Sequence, residues 1–231
     1  MSNTEKDSGL EFLESPEGLA GEIGKVEKVI GQNGKILTYA GAGILAILLC
    51  YFGYKWYVSN QDEQAQAALF GPVFSFEADS LNKALKGTAG NAGLLAVADE
   101  YGATPSGNLA HFYAGVALMK QGKFDDAIAQ LKDFSSSDLL VQGRAYCLLG
   151  DAYLEKNDAE EAVNFYKKAA GYNPNPHFTP SYMMKLAIAQ EKAKKNSDAI
   201  ETYGEIVAKY PQSAESMSAK KYKALLESAA E

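Results

Sequence analysis

Residues 148–174, LLGDAYLEKNDAEEAVNFYKKAAGYNP, hold two amphipathic stretches separated by a polar turn. With Tyr146 just upstream, they set out a fixed order of residue types. Leu149, Gly150 and Tyr153 fall in the first stretch; Ala162, Tyr166 and Ala169 fall in the second, and Pro174 ends it. Apolar positions recur every three or four residues, one face of a helix. Gly150 and Ala162 are small enough to let two paired helices approach closely. The aromatics then fill the space between one hairpin and the next.

The order recurs on both sides. Upstream stand Gly115, Leu118, Ala127 and Leu131, with His111 and Phe134 as departures from the pattern. Downstream stand Leu186, Ala187, Ala199, Tyr203 and Pro211, with Gln190 where a tyrosine is usual. Gly115, Gly150 and Ala187 lie 35 and 37 positions apart. That period and residue order are those of the tetratricopeptide repeat, about 34 residues long. Gly122, Asn157 and Asn196 are expected near the turns inside the hairpins, where a left-handed residue costs least as Gly or Asn. Ser213–Ala230 reads as a helix that caps the array, because an uncapped repeat exposes its apolar face. The array is placed at 105–231.

Residues 59–104 are expected to form a helical connector. Phe70, Val73, Phe74, Leu81 and Leu85 share a helical face, and Pro72 is expected to kink or restart that helix. Gly87, Gly90 and Gly93 mark a loop. A short helix is expected from Leu94 to Tyr101. Thr104 and Pro105 then form a helix start, a capping hydroxyl followed by proline at the first helical position.

Upstream again, residues 36–54 read ILTYAGAGILAILLCYFGY without a charge. As a helix they span about 28 Å, the thickness of a bilayer's hydrocarbon core. Tyr51, Tyr54, Trp56 and Tyr57 suit the lipid–water boundary at one end. A cleaved signal peptide fits poorly: mostly acidic or neutral residues precede the run, and the small-residue site at Ala65–Ala67 comes too late. Residues 35–58 are read as an uncleaved transmembrane helix. Lys25, Lys28 and Lys35 precede it and Lys55 alone follows closely, which predicts a cytoplasmic N-terminus. Gly34, Thr38, Ala42, Ala46 and Cys50 form a stripe of small residues suited to packing on a neighbouring membrane helix. Residues 1–34 are acidic, with scattered apolar positions, and are expected to be disordered. The fold class is therefore all-α, a single N-terminal transmembrane helix followed by a tetratricopeptide-repeat α-solenoid.

A net charge of −7 lacks the basic footprint of a nucleic-acid binder. Lysines gather in the last third, either as a solvated surface or as a docking face. Cys50 and Cys147 suit neither a disulfide nor a zinc site. His111 and His177 stand far apart, and no phosphate-binding loop or nucleophile elbow occurs. His111 reads as packed, and Asp125–Asp126 as acids complementing a helix start. No enzyme activity, metal, cofactor or small-molecule substrate is expected.

What remains is a surface. In tetratricopeptide arrays the inner helices line a concave groove. The matching positions are Leu109, Phe112, Val116 and Met119, then Arg144, Cys147, Asp151 and Leu154, then Ser181, Met184, Ile188 and Glu191. Phe112 and Met119 suit packing against the preceding helices equally well. The Lys/Asn set that clamps a carboxylate in some relatives is missing.

The combination resembles the YfgM-like family of bacterial inner-membrane proteins, most of all its Bacteroidota members. DEYGATPSGNLAHFYAGVALMKQGKFDDAI (residues 99–128) and the stretch 148–174 carry the resemblance, which extends over most of the chain beyond Lys35. It implies a periplasmic repeat domain, association with Sec translocon subunits, and a PpiD-like membrane-anchored chaperone as partner. A different class of reading is an envelope scaffold or regulator that tethers another complex through the groove.

Overall fold

The computed structural model of the protein describes residues 16–230, and their side chains from 34 to 229. Those residues form ten helices and no strand. The chain divides between Tyr57 and Val58 into two compact units.

In the first unit the chain is helical from Pro16, the start of α1 (Pro16–Glu77). The part of the expected acidic tail before residue 16 lies outside the described residues. Among the described residues α1 is the one helix long and apolar enough to cross a membrane. Every side chain from 35 to 57 is exposed. A core helix of a soluble protein would bury such a run, whereas none of this one is buried. Thr38 Oγ1 donates to the carbonyl of Gly34 at 2.8 Å, which satisfies its hydroxyl inside the helix.

The second unit begins with the rest of α1. Pro72 sits inside α1, which runs on to Glu77 without restarting. Proline costs about 3 kcal/mol in a helix interior. Packing offsets that here: Leu69, Val73 and Phe76 enter one cluster with Leu85, Leu94, Val97 and Leu118. α2 (Leu81–Lys86), the loop at Gly87–Gly93 and α3 (Leu94–Tyr101) follow. Then come three hairpins: α4 (Pro105–Lys120) with α5 (Phe124–Asp133), α6 (Val141–Glu155) with α7 (Ala159–Gly171), and α8 (Thr179–Lys192) with α9 (Asn196–Lys209). α10 (Glu215–Ala230) packs on α9 and closes the last core cluster through Ala219.

Each hairpin turns in the same way. Gly122, Asn157 and Lys194 take φ of 70°, 62° and 60°. In each turn that residue's N–H and the next one's reach back to the helix just ended, as from Lys194 to Glu191 O and from Lys195 to Gln190 O. This is the usual left-handed helix stop. The third turn corrects the sequence reading: Asn196 is the first residue of α9, and the strained position is Lys194. Asp79, at φ 54°, makes the same turn between α1 and α2. The hairpin geometry thus starts before the recognisable repeats. A left-handed lysine costs about 1 kcal/mol relative to glycine. Lys194→Gly is expected to stabilise the repeat unit by about that much, read as a raised midpoint in urea.

The start of α4 leaves no donor orphaned. Pro105 has none, Gly107 N–H donates to the Thr104 hydroxyl oxygen at 3.0 Å, and Asn108 N–H to the Thr104 carbonyl. Ser106 N–H donates across the fold to Asp62 Oδ1 of α1 at 2.8 Å. Burial opposes ionisation of Asp62, but the Ser106 N–H and the polar groups of Gln66 and Thr104 hold its carboxyl below the ordinary value. A depressed carboxyl stabilises the fold above its unfolded pKa of about 3.9. That stabilisation disappears as pH falls through the lower folded value. Asp62→Ala is expected to cost about 1 kcal/mol at pH 7. Denaturation curves of variant and parent should converge in strongly acidic buffer.

Candidate interaction groove

α4, α6 and α8 are the first helices of the three hairpins. Their helical pitch places Phe112, Arg144 and Ser181 at one end of a shared face. Met119, Asp151, Leu154 and Ile188 lie about two turns further along. The structure forms a recess at each end.

The first recess, of about 380 Å³, is lined by Phe112, Leu140, Val141, Arg144, Phe178, Ser181 and Tyr182. Leu140 and Phe178 are 52% and 45% exposed although both are large and apolar. Each sits at the start of a helix, α6 and α8 respectively. Asp138 accepts from Leu140 N–H at 2.8 Å and from Val141 N–H at 2.9 Å, and these bonds hold its carboxyl below the ordinary range. Asn175 Oδ1 accepts from the N–H of His177 and of Phe178. Polar side chains thus fix the backbone of both loops while their apolar side chains stay in solvent.

The second recess, of about 660 Å³, has Met119, Phe124, Leu154 and Ile188 in its apolar lining and Lys120, Asp151, Glu155 and Lys185 as its charges. Asp151 Oδ1 accepts from the Tyr166 hydroxyl at 2.6 Å and from Lys185 Nζ at 2.5 Å. Burial raises the Tyr166 phenol far above its ordinary value, and the Asp151 carboxylate adds to the effect. The hydroxyl therefore stays protonated and donates throughout the accessible pH range.

The twelve groove positions read from the sequence are divided by the structure. Phe112, Arg144 and Ser181 come together in the first recess, and Met119, Asp151, Leu154 and Ile188 in the second. Phe112 and Met119 also pack inward, Phe112 against Phe134 with ring centres 5.1 Å apart. Leu109 faces α1 instead, in a recess with Leu69, Phe70 and Val73. Val116 and Met184 are half-buried against core clusters. Glu191 is half-buried and accepts from the Tyr203 hydroxyl at 2.6 Å. Cys147 is fully buried beside Tyr166 and Tyr182 and presents no surface to a partner. The sequence reading missed Leu140, Phe178 and Lys185. For Leu140 and Phe178 the available signal was an apolar residue at the end of a polar loop, directly before a helix.

Burial, reinforced by Asp151, pushes the Cys147 thiol up to about 11 against the opposing charges of Lys185 and Arg144. The thiolate is the reactive form. In a Cys50→Ser variant, maleimide labelling near pH 7.5 is expected to run at least roughly 100-fold slower than for a free cysteine. Denaturation should restore it.

His111 Nδ1 lies 2.8 Å from Gln130 Oε1 in a half-buried pair, and His177 is exposed. Asp125 and Asp126 open α5, and Asp125 pairs with Lys156, the residue that caps the end of α6. Among the described residues no group of three or more His, Cys, Asp or Glu is arranged to hold a metal ion.

Two family models of the tetratricopeptide repeat match this array. One covers residues 92–134 and 112–176, the other residues 181–213. The chain therefore carries tetratricopeptide repeats, a protein-interaction module. No curated protein matches it.

Proposed function

We propose that the protein is a non-enzymatic, single-pass interaction subunit of a bacterial inner membrane. Its N-terminus is cytoplasmic and its repeats are periplasmic. It associates with Sec translocon subunits and a PpiD-like membrane-anchored chaperone to assist protein export. The groove along α4, α6 and α8 holds the partner. The stripe Gly34, Thr38, Ala42, Ala46 and Cys50 packs on a neighbouring membrane helix.

One observation carries the interaction reading: Leu140 and Phe178 are both exposed and line one recess whose other lining residues are mainly apolar. Surfaces of that kind mark binding sites rather than solvated faces. The membrane reading is supported by the apolar, fully exposed run in α1. The Sec and chaperone assignment is supported by the family resemblance in residues 99–128 and 148–174.

Affinity capture of the full chain from detergent-solubilised membranes tests the proposal. Recovery of translocon subunits together with a membrane-anchored prolyl-isomerase-type chaperone is expected. Recovery of a signalling or cell-wall complex instead would favour an envelope scaffold. Protease protection in intact cells tests the orientation, because repeats digested only after lysis of the inner membrane would overturn it.

A further inference from the structure

We infer that the groove is electrically polarised and accepts its partner segment in one direction. The partner places an acidic residue beside a bulky apolar one at the Arg144 end, and a basic residue at the Glu155 end. The inference rests on the groove reading above and adds to it the partner's chemistry and polarity.

Arg144 is exposed and is the only charged side chain lining the first recess. It takes part in none of the ion pairs found among the described residues. A guanidinium at the edge of an apolar recess binds a carboxylate through two parallel hydrogen bonds. The recess beside it takes the apolar neighbour of that carboxylate.

The second recess differs. Lys185 is paired with Asp151, and Lys120 with Asp79 at 2.9 Å. Glu155 is exposed and is the lining charge left without an ion-pair partner among the described residues. A basic group on the partner answers it. Arg144 and Glu155 are eleven positions apart on α6, about 16 Å along the helix axis. An extended segment covers that span in about five residues, a helical one in about eleven. Both unpaired charges lie on one helix, so the polarity is fixed by α6 alone.

The test uses the full chain in detergent and four labelled, end-blocked peptides. Two place Glu beside Trp at one end and Lys five or eleven positions on. The other two exchange the Glu and the Lys. At low salt, the acid-beside-tryptophan order is expected to bind at least tenfold tighter in whichever spacing binds. The double variant Arg144→Glu with Glu155→Arg should reverse that preference. Both residues are exposed, so the parent's thermal unfolding curve should be retained. Equal binding of the two orders, binding of neither, or a preference the double variant leaves unmoved would overturn the inference. If the charge exchange has no effect while Leu140→Ala with Phe178→Ala still abolishes capture of the membrane partner, the groove reading stands and only its polarity falls.

Discussion

Tyr166→Ala is expected to cost the repeat unit about 4 kcal/mol, the usual range for removing a large buried ring. For a unit of this size that is a fall of roughly 10 °C in melting temperature. The ring is 1% exposed and sits in the middle of the array. It packs among Cys147, Ala162, Ala169, Tyr182 and Leu186, and so joins the second hairpin to the third. Tyr166→Phe keeps the ring and loses only the hydroxyl's bond to Asp151, which Lys185 continues to satisfy. It should cost about 1 kcal/mol. Gly150 supplies the sharper test. A Cβ built there lies 2.6 Å from two carbons of the Tyr166 ring, well inside contact distance. Gly150→Ala gains about 1 kcal/mol of helix propensity, yet overpacking should leave a net loss of about 2 kcal/mol. In a Tyr166→Ala background the clash is gone, and the same substitution should become neutral or stabilising. A double-mutant cycle by chemical denaturation therefore gives a coupling of about 2–3 kcal/mol if the contact is what fixes the hairpin spacing. Additive effects would place the constraint elsewhere.

That contact also shows why the repeats were legible in the sequence. The glycine at 150 and the aromatic at 166 are demanded by one steric relation, so their spacing recurs wherever the relation does. Gly115 with Leu131 repeats it in the first hairpin, where an added Cβ would lie 2.5 Å from Leu131 Cγ. Helix starts were legible for the same local reason, as Thr104 and Pro105 show. The third turn was not. Asn196 matches the residue preference, but the hairpin's register puts the left-handed residue at Lys194, and lysine carries no signal for that conformation. Pro72 does not restart the helix, because the cost of the proline is local and the packing that offsets it comes from α2, α3 and α4.

The groove was legible only in part. Helical periodicity assigns residues to a stripe, but the width of the exposed strip depends on how closely the next hairpin packs. Cys147 falls on the stripe and is covered by Tyr166 and Tyr182. Leu140 and Phe178 fall outside any helical repeat of spacing, because they belong to loop ends, and the fold brings both to the same recess.

Those two residues give the second large effect. Leu140→Ala with Phe178→Ala is expected to lower capture of the membrane partner by 100-fold or more, while shifting the melting temperature little. Exposed side chains with few covering neighbours contribute little to folding, so the pair should cost under about 1 kcal/mol of stability. At an interface the balance reverses. Bulky apolar groups seated in a recess dominate binding, and loss of an aromatic anchor costs 2 kcal/mol or more. The Phe178 loss together with about 1 kcal/mol for the smaller Leu140 reaches about 3 kcal/mol, just over 100-fold. Their backbone N–H groups keep their bonds to Asp138 and Asn175 in the variant, so the loops should hold their shape. Ser181, which lines the same recess, gives a control: Ser181→Ala removes one hydroxyl and should change capture by less than tenfold. The measurement is quantitative recovery of the partner from solubilised membranes, normalised to bait, alongside a thermal melt of each bait. A double variant that melts normally and captures normally would remove this recess from the binding surface. A loss of capture with an unchanged melt would place the partner on the apolar end of the groove, the end where Arg144 waits for a carboxylate.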